Sequence, residues 1–165
     1  MKLIVAVARN WAIGNNGGLL FNLPDDMTFF KNTTLNKVVV MGKNTLLSFP
    51  GGKPLKNRTN IVLTTNKDFS EEDCIICHSY DELFEELKKY NSEDVFLVGG
   101  GKIYNELYEY CSEAYITKVD AVAEADTFLH NFDGDSNWYL SYASEVHENN
   151  GLKFTFNTYK NNAIK

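Results

Sequence analysis

The feature of this sequence that most constrains its fold is a series of short apolar runs, each followed by a segment with a helical pattern. An apolar run without polar alternation is typical of a strand that helices cover on both faces. Strands that alternate with helices favour parallel pairing, because each crossover helix returns the chain to the same end of the sheet. The predicted strands are residues 2–8, 37–41, 59–63, 74–77, 95–98 and 113–120, and the predicted helices are residues 24–34, 45–49, 80–90 and 102–109.

The last part of the chain has a different pattern, which predicts antiparallel strands. Residues 138–146 and 152–160 both alternate apolar and polar side chains, with Asn149-Asn150-Gly151 between them. Asn-Gly between alternating runs is a strong hairpin signal. We therefore expect an α/β fold with a central, mainly parallel eight-stranded sheet that ends in an antiparallel C-terminal hairpin, with helices on both faces. The length of 165 residues and the lack of a linker predict a single domain, residues 1–165.

Charge and composition exclude some classes of function. The net charge of −6 argues against a general nucleic-acid or membrane-surface role, because both need a basic surface. No apolar run approaches the length of a membrane span, and Met1–Val5 is too short and too quickly polar for a signal peptide. We expect a cytoplasmic protein, and a monomer by default, since a sequence reveals no self-complementary patch.

The cysteines and histidines suggest neither a metal site nor a nucleophile. Three cysteines cannot all pair, and nothing suggests export; they are Cys74, Cys77 and Cys111. Cys74 and Cys77 have redox-like spacing, but in a strand their thiols would point to opposite faces. The three histidines, which we interpret as structural, are His78, His130 and His147. No pair has the spacing of zinc ligands, so we predict no metal.

The first predicted helix begins with an unusual pair of acids. Pro24 suits a first helical turn, where its fixed φ fits and its missing N–H costs nothing. The apolar stripe of this helix consists of Leu23, Met27, Phe30 and Thr34. Asp26 falls within that stripe, whereas Asp25 does not. An unpaired carboxylate among apolar side chains is costly, so either Asp26 has a function or both acids only complement the helix dipole.

Three predicted strands end in turns that suit a ligand with several phosphates. These turns are Gly42-Lys43-Asn44-Thr45, Thr64-Thr65 and Gly99-Gly100-Gly101-Lys102. In parallel sheets, ligands bind at the carboxyl ends of strands, where glycine lets the backbone approach a phosphate. The glycine spacing matches neither the P-loop nor the dinucleotide fingerprint. One such turn is explained by a tight connection to a helix, but the three together favour a phosphate site.

Other residues indicate an acidic substrate and a simple reaction. Arg58 is one of two arginines, and its planar guanidinium suits a carboxylate, although a surface salt bridge is the alternative. Tyr104 and Thr117 lie near element ends, where packing explains them equally well. No Ser–His–acid or Cys–His arrangement can be argued. Hydride transfer fits a site with one inward acid, because the cofactor supplies the chemistry and the protein supplies position.

Over nearly its whole length the sequence resembles dihydrofolate reductase. The motifs that carry the resemblance, in family order and at family spacing, are Ala12-Ile13-Gly14, Asn22-Leu23-Pro24-Asp25-Asp26-Met27, Phe30-Lys31, Val40-Met41-Gly42, Arg58-Thr59-Asn60-Ile61, Val98-Gly99-Gly100-Gly101-Lys102-Ile103-Tyr104 and Asp126-Thr127. The resemblance implies NADPH-dependent reduction of 7,8-dihydrofolate to 5,6,7,8-tetrahydrofolate, by hydride transfer to pterin C6 and protonation at N5. It also implies that antifolate inhibitors bind.

The resemblance implies roles for residues of the substrate site. Asp26 matches the family's catalytic acid, which hydrogen-bonds the pterin 2-amino group and N3, and Thr117 matches the threonine that partners this acid. Arg58 matches the arginine that holds the glutamate α-carboxylate. The other residues that match the folate pocket are Val5, Ala6, Met27, Phe30, Phe49 and Leu55.

The resemblance likewise implies a cofactor site built from the three turns and the loop before the first helix. The residues that match those around the nicotinamide are Ala6, Ile13, Leu19, Gly99 and Tyr104. Those that match the 2′-phosphate site are Lys43, Thr65 and Lys102, and those that match the pyrophosphate site are Thr45, Gly100 and Gly101. The same turns add Gly42, Asn44, Leu63, Thr64, Val98 and Ile103 to the predicted cofactor site.

Four positions depart from common bacterial members of the family. Phe21 stands where tryptophan is usual, Leu20 where proline is usual, Lys43 where arginine is usual and Ala125 where glycine is usual. None removes a catalytic group, but a lysine point charge in place of an arginine fork is expected to soften the preference for the 2′-phosphate.

Two alternatives to this function remain. One is another NADPH-dependent pterin or pyrimidine reductase of the same fold, which is not expected to combine the Leu-Pro-Asp-Asp helix start with Arg58. The other is a non-catalytic nucleotide-binding module, which has no need of an inward Asp26. The glycine-rich loop of residues 9–21 is predicted to act as a lid, because it is too rich in glycine to hold one shape by propensity.

Overall fold

The computed structural model describes residues 1–165 and contains one large sheet, one small ladder and four helices. The strands are β1 (Lys2–Val7), β2 (Ala12–Gly14), β3 (Val38–Gly42), β4 (Thr59–Leu63), β5 (Cys74–Cys77), β6 (Val95–Gly99), β7 (Glu113–Val119), β8 (Thr127–Phe128), β9 (Trp138–Ala143), β10 (His147–Asn149) and β11 (Leu152–Asn161). The helices are α1 (Pro24–Thr34), α2 (Lys43–Ser48), α3 (Tyr80–Leu87) and α4 (Gly101–Leu107). None of these helices is long and apolar enough to cross a membrane.

The large sheet has the strand order β10-β11-β7-β1-β6-β3-β4-β5, and β9 pairs with another part of β11. Every pair from β7 to β5 is parallel, whereas β11 is antiparallel to β7, β9 and β10. This arrangement confirms the predicted α/β fold with a mainly parallel sheet and an antiparallel C-terminal end. The parallel strands are the apolar runs of the sequence, because helices cover both of their faces.

Two apolar cores lie on opposite faces of the sheet. On β3, Val38 and Val40 pack into the larger core, and Val39 and Met41 pack into the smaller one. Leu46 of α2 is fully buried in the smaller core. The two faces of one strand thus supply both cores, as a continuous apolar run requires. The same alternation separates the thiols of β5, since Cys77 packs in the larger core and Cys74 beside the smaller one, as predicted.

The C-terminal hairpin differs in detail from the prediction. The predicted strand of residues 138–146 ends early, at Ala143, as β9, and a separate short strand, β10, follows at His147–Asn149. The two strands pair with different parts of β11. Asn150 and Gly151 connect β10 to β11 with positive φ values of 53° and 77°, as a tight hairpin turn requires. The Asn-Gly signal therefore located the turn correctly, but the interruption between β9 and β10 has no comparable signal.

The small β2–β8 ladder lies in segments that were predicted to be loops. β2 is part of the glycine-rich loop of residues 9–21, and β8 belongs to the predicted acidic loop of residues 121–137. Asp126 joins the two segments further, because its Oδ2 accepts a hydrogen bond from Asn16 N–H at 2.9 Å and its N–H donates to Gly14 O at 3.0 Å. Strands this short have no sequence periodicity from which to predict them.

Helix α3 begins at the predicted cap but is shorter than predicted. Ser79 Oγ accepts a hydrogen bond from Glu82 N–H at 3.1 Å, as a capping box requires. The Glu82 carboxylate accepts from His78 N–H, one residue earlier than the usual partner. The helix ends at Leu87 rather than at residue 90.

Candidate active site

Helix α1 has the predicted limits and brings Asp26 to the sheet. Leu23, just before the helix, is 2% exposed and packs in a third small core with Val119 and Phe154. Anchored there, the first turn places Asp26 over β7, where Thr117 Oγ1 donates a hydrogen bond to Asp26 Oδ1 at 2.6 Å. Thr117 is itself 2% exposed. The structure therefore joins a carboxyl group and a buried hydroxyl from elements far apart in the sequence.

The surroundings of Asp26 favour its protonated form. Burial raises the pKa of Asp26, and the hydrogen bond from Thr117 opposes that rise only in part. Burial also raises the pKa of Tyr104, to which the charge of Asp26 adds, so this phenol stays neutral. The Tyr104 hydroxyl donates to Ile4 O at 2.8 Å. Asp26 therefore retains a proton at higher pH than an exposed aspartate would.

The predicted apolar stripe of α1 is only partly correct. Leu23 and Thr34 are buried, but Met27 is 61% exposed and Phe30 is only partly buried. Phe29, outside the stripe, packs on the sheet with its ring centroid 4.8 Å from that of Phe156. The middle of the stripe is therefore not covered by the core.

Arg58 is held by the C-terminal end of α1. Its Nε donates to Thr34 Oγ1 at 3.1 Å, and its Nη2 donates to Lys31 O at 3.3 Å. Its Nη1 donates to Lys56 O at 2.8 Å. No carboxylate of the chain pairs with Arg58, so the surface salt bridge considered as an alternative does not form. The guanidinium is thus fixed in place while its charge remains available.

The three predicted phosphate turns lie side by side at one edge of the sheet. β6, β3 and β4 are neighbours, with Met41 opposite Gly99 and Gly42 opposite Leu63. The turns that follow these strands, including Thr64 and Thr65 after β4, are therefore adjacent. Neither the start of α2 nor that of α4 has a side-chain cap, so their N–H groups point toward this edge without partners from capping side chains.

The glycines of the β6–α4 turn leave space that other residues would fill. A Cβ atom on Gly99 would lie 3.3 Å from Thr45 Oγ1, and Gly99 has a φ of 129°. A Cβ atom on Gly100 would lie 3.4 Å from the same hydroxyl, and one on Gly101 would collide with the Thr127 side chain. The turn therefore requires glycine, and its bare backbone with nearby hydroxyls fits a pyrophosphate group.

Cationic side chains flank this edge. Lys43, at the start of α2, holds its Nζ 5.3 Å from the centroid of the Phe69 ring. Lys102 and Thr65 are exposed, and Asn44 next to Lys43 is exposed as well. No acidic side chain forms an ion pair with Lys43 or Lys102. A glycine cradle flanked by free cations is a donor set suited to a phosphorylated dinucleotide.

The structure separates two residues predicted for the substrate pocket. Ala6 lies opposite Thr117 in the β1–β7 pairing and shares its face of the sheet. Val5 lies opposite Ile116, on the other face, and packs against the larger core. Val5 is therefore not brought to Asp26 by its side chain. Ile4, which the sequence reasoning missed, lies on the Ala6 face, as its even spacing from Ala6 could have indicated.

The remaining predicted residues differ in how deeply they are buried. Phe49, Leu55 and Val98 are partly buried against the smaller core. Ile13 and Ile103 are buried, and Leu63 and Thr64 are partly buried. Leu19, in the loop before α1, is 87% exposed, and Phe21 packs with the third small core. Besides Ile4, the sequence reasoning missed Phe69, Thr127 and the hairpin residue Asn149, whose contacts no local pattern indicates.

Comparison with known proteins gives consistent results. The family model described as dihydrofolate reductase matches residues 1–161. Dihydrofolate reductase of Staphylococcus haemolyticus is 34% identical over 161 residues, which cover 96% of this chain and 90% of that protein. The Bacillus subtilis (strain 168) enzyme is 32% identical over 168 residues, which cover 100% and 97%. A structure of Enterococcus faecalis dihydrofolate reductase complexed with NADP(H) and RAB-propyl has a TM-score of 0.85 at 34% identity and covers 98% of this chain and 95% of that one.

Proposed function

Because the chain belongs to the dihydrofolate reductase family, we propose that it reduces 7,8-dihydrofolate to 5,6,7,8-tetrahydrofolate with NADPH and that Asp26 is its catalytic acid. The hydrogen bond between Asp26 and Thr117 is the observation that carries the residue assignment. A non-catalytic nucleotide-binding module would have no use for such a carboxyl group. Another pterin or pyrimidine reductase is not favoured, because the family match spans residues 1–161.

Asp26 holds and orients the pterin ring in this proposal. Its carboxyl group binds the 2-amino group and N3, while Thr117 fixes the position of one carboxyl oxygen. Because burial raises the pKa of Asp26, the site favours the protonated substrate at pH values where an exposed aspartate would be fully charged. A proton at N5 makes C6 a better hydride acceptor. Activity is therefore expected to fall as pH rises through the pKa of Asp26.

Arg58 holds the substrate's carboxylate in this proposal. Its side chain has five N–H groups, of which the structure uses one on Nε, one on Nη1 and one on Nη2. One N–H therefore remains on each terminal nitrogen to donate to a carboxylate. The contacts to α1 fix the guanidinium plane before the substrate arrives.

The cofactor site extends along the carboxyl edge of β6, β3 and β4. Bound NADPH supplies the hydride, and the residues of this edge only bind and orient it. The β6–α4 turn, with Thr45 beside it, holds the pyrophosphate, and Lys43, Thr65 and Lys102 hold the 2′-phosphate. Tyr104, Ala6 and Ile13 border the nicotinamide end, closest to Asp26.

Replacement of the lysines assigned to the 2′-phosphate tests this orientation of the cofactor. We expect Lys43→Ala and Lys102→Ala each to weaken NADPH binding by about tenfold to a hundredfold, because each removes one charge-assisted contact. Binding of NADH, which lacks the 2′-phosphate, should change little. Dissociation constants for both cofactors measure this, with Lys153→Ala on β11 as a control lysine far from the edge. Equal losses for both cofactors would contradict the 2′-phosphate role.

The role of the hydrogen bond from Thr117 is tested by replacing Thr117 with valine, which has nearly the same shape but no hydroxyl group. Because this bond favours charged Asp26, Thr117→Val is expected to raise the pKa of Asp26 further and to move the falling limb of activity to higher pH. The profile of kcat/KM against pH measures the shift. Thr33→Val, on α1, is the matched control. An unchanged profile for Thr117→Val would show that the hydroxyl does not act on Asp26.

One assay tests the function as a whole. Purified protein with dihydrofolate is expected to oxidise NADPH, measured by loss of the reduced-nicotinamide absorbance, and to oxidise NADH more slowly. Absence of dihydrofolate-dependent NADPH oxidation would reject the function.

We also propose that residues 1–165 form one domain that acts as a monomer in the cytoplasm and binds antifolates in the folate pocket. Strands from both ends of the chain pair in one sheet, which supports a single domain. Light scattering of the purified protein tests the monomer. Three free cysteines support a reducing compartment. Competition between an antifolate and dihydrofolate tests whether antifolates bind in the folate pocket.

A further inference from the structure

Helix α1 receives its N-terminal cap from the opposite end of the chain. Leu23 occupies the cap position and offers no side-chain hydrogen bond. Asp25 N–H, one of the donors that a helix start leaves without a partner, donates instead to Asn149 Oδ1 at 2.9 Å. Asn149 Nδ2 donates in return to Asp25 Oδ2 at 3.1 Å. The two side chains therefore form a reciprocal cap between residues 124 positions apart.

A second residue of the β10–β11 turn contacts the chain just before α1. Asn150 Nδ2 donates to Asn22 O at 3.1 Å, on the other side of Leu23. Asn149 Nδ2 also donates to Glu148 O at 2.8 Å, which fixes the orientation of its amide. The β10–β11 turn thus contacts the chain both before and within the first turn of α1.

Asn149 and Thr117 belong to one continuous sheet. β11 pairs with β7 from Phe154 opposite Val119 to Lys160 opposite Glu113, and Asn149 pairs with Leu152 in the hairpin. The helix start is therefore attached to the sheet at two neighbouring positions, Asp25 on Asn149 and Asp26 on Thr117. Because residues 25 and 26 are consecutive, the first attachment limits how far the Asp26 carboxyl group can move from Thr117.

We propose that Asn149 is a positioning residue for dihydrofolate reduction, which acts through Asp25 to hold Asp26 against Thr117. The proposal rests on the proposed function of Asp26. Without the cap, the first turn of α1 loosens, the bond from Thr117 weakens and water reaches the Asp26 carboxyl group. The weaker bond alone would raise the pKa of Asp26, but burial is the larger cause of its raised pKa, so the hydrated carboxyl group becomes easier to ionise. The active protonated form is lost at lower pH, so the loss of rate is greatest above neutral pH and small at acidic pH.

The test is the pH profile of hydride transfer in variants of the pair. Asn149→Ala, which removes both bonds, is expected to slow hydride transfer by about five- to tenfold at neutral and higher pH and to move the falling limb to lower pH. Asn149→Asp, of the same shape, is expected to do at least as much because it places a carboxylate against Asp25. Asp25→Ala removes only the bond from Asn149 Nδ2, because the backbone N–H of residue 25 can still donate to Asn149 Oδ1, so it should shift the profile in the same direction by less than Asn149→Ala. Asp25→Asn retains an acceptor for Asn149 and should be nearly normal.

Two controls separate positioning from general destabilisation. Glu148→Gln changes an exposed neighbour in the same strand whose side chain makes no hydrogen bond, and its profile is expected to match the wild type. The double variant Asp25→Ala/Asn149→Ala should be no slower than Asn149→Ala alone, because Asn149→Ala already removes both bonds of the pair.

The outcomes distinguish this proposal from the proposed function. A wild-type protein without dihydrofolate-dependent activity would reject the function itself. An active wild type whose profile is unchanged in Asn149→Ala and Asn149→Asp would reject only the role of Asn149. A uniform slowing at every pH, or equal effects of Asp25→Asn and Asp25→Ala, would also overturn the role, since a loosened carboxyl group predicts neither.

Discussion

Asp26→Asn is expected to lower the rate of dihydrofolate reduction at neutral pH by about a hundredfold or more, as loss of a positioned acid or base typically does. The amide has nearly the same shape and can still accept the hydrogen bond from Thr117, but it cannot take up or release a proton. The pH profile of the Asp26→Asn variant should therefore lose the falling limb that ionisation of Asp26 produces. The rate of hydride transfer against pH, with NADPH saturating, measures both effects.

Asp25→Asn is the matched control for that experiment. Asp25 carries the same charge one residue away, but it is exposed and bonded to Asn149 rather than to Thr117. NADPH binding should be retained in both variants, because neither side chain lies at the edge of β6, β3 and β4. If Asp25→Asn were the damaging change and Asp26→Asn the mild one, the assignment of the catalytic acid would be wrong.

Gly101→Ala is expected to have the second large effect, through the shape of the β6–α4 turn. The new methyl group would collide with the Thr127 side chain, so the turn or the β2–β8 ladder must shift. Overpacking of this kind costs about 1–3 kcal/mol of the free energy of unfolding. NADPH binding should weaken by more than the stability loss explains, because the same backbone holds the pyrophosphate. Chemical denaturation and cofactor titration measure the two quantities.

Gly134→Ala provides the comparison for a glycine with space around it. Its Cβ atom would meet the Asn131 side chain at an ordinary distance of 3.6 Å, and it lies outside the cofactor edge. We expect nearly normal NADPH binding for this variant. Equal NADPH binding in Gly101→Ala and Gly134→Ala would show that the tight β6–α4 turn is not needed for the cofactor.

The sequence predicts the elements whose signals are local. The limits of α1 are correct because Pro24 starts the helix, and the covered strands are found because both faces are apolar. The Asn150-Gly151 turn is found because its positive φ values need these residue types. By contrast, β2, β8 and the break between β9 and β10 depend on pairing partners distant in the sequence. The segments of β2 and β8 have only three and two residues, too few to show a periodicity, and residues 144–146 contain no pattern that marks the break.

The residues of the candidate site also divide into those with a local sequence signal and those whose partners are distant in the sequence. The spacing around Leu23 separates Asp26 from Asp25, and the ends of the apolar runs indicate the three phosphate turns. The role of Asp25 could not be predicted, because its partner Asn149 has no sequence relation to it. The exposure of Met27 was also missed, since periodicity does not distinguish a core from a cleft that receives a ligand.

The cap of α1 also bears on the order in which this protein can be completed during synthesis. The ribosome makes Asp26 early, whereas Thr117 and Asn149 follow much later, and β11 comes last of all. A nascent chain that lacks β10 and β11 can form the apolar strands and the turns at their ends, but the start of α1 would lack Asn149 and Phe154 and would be held only by Thr117 and Val119 of β7. Such a chain is expected to bind nucleotide before it can turn over dihydrofolate. Catalytic competence would then arrive abruptly, with the final hairpin.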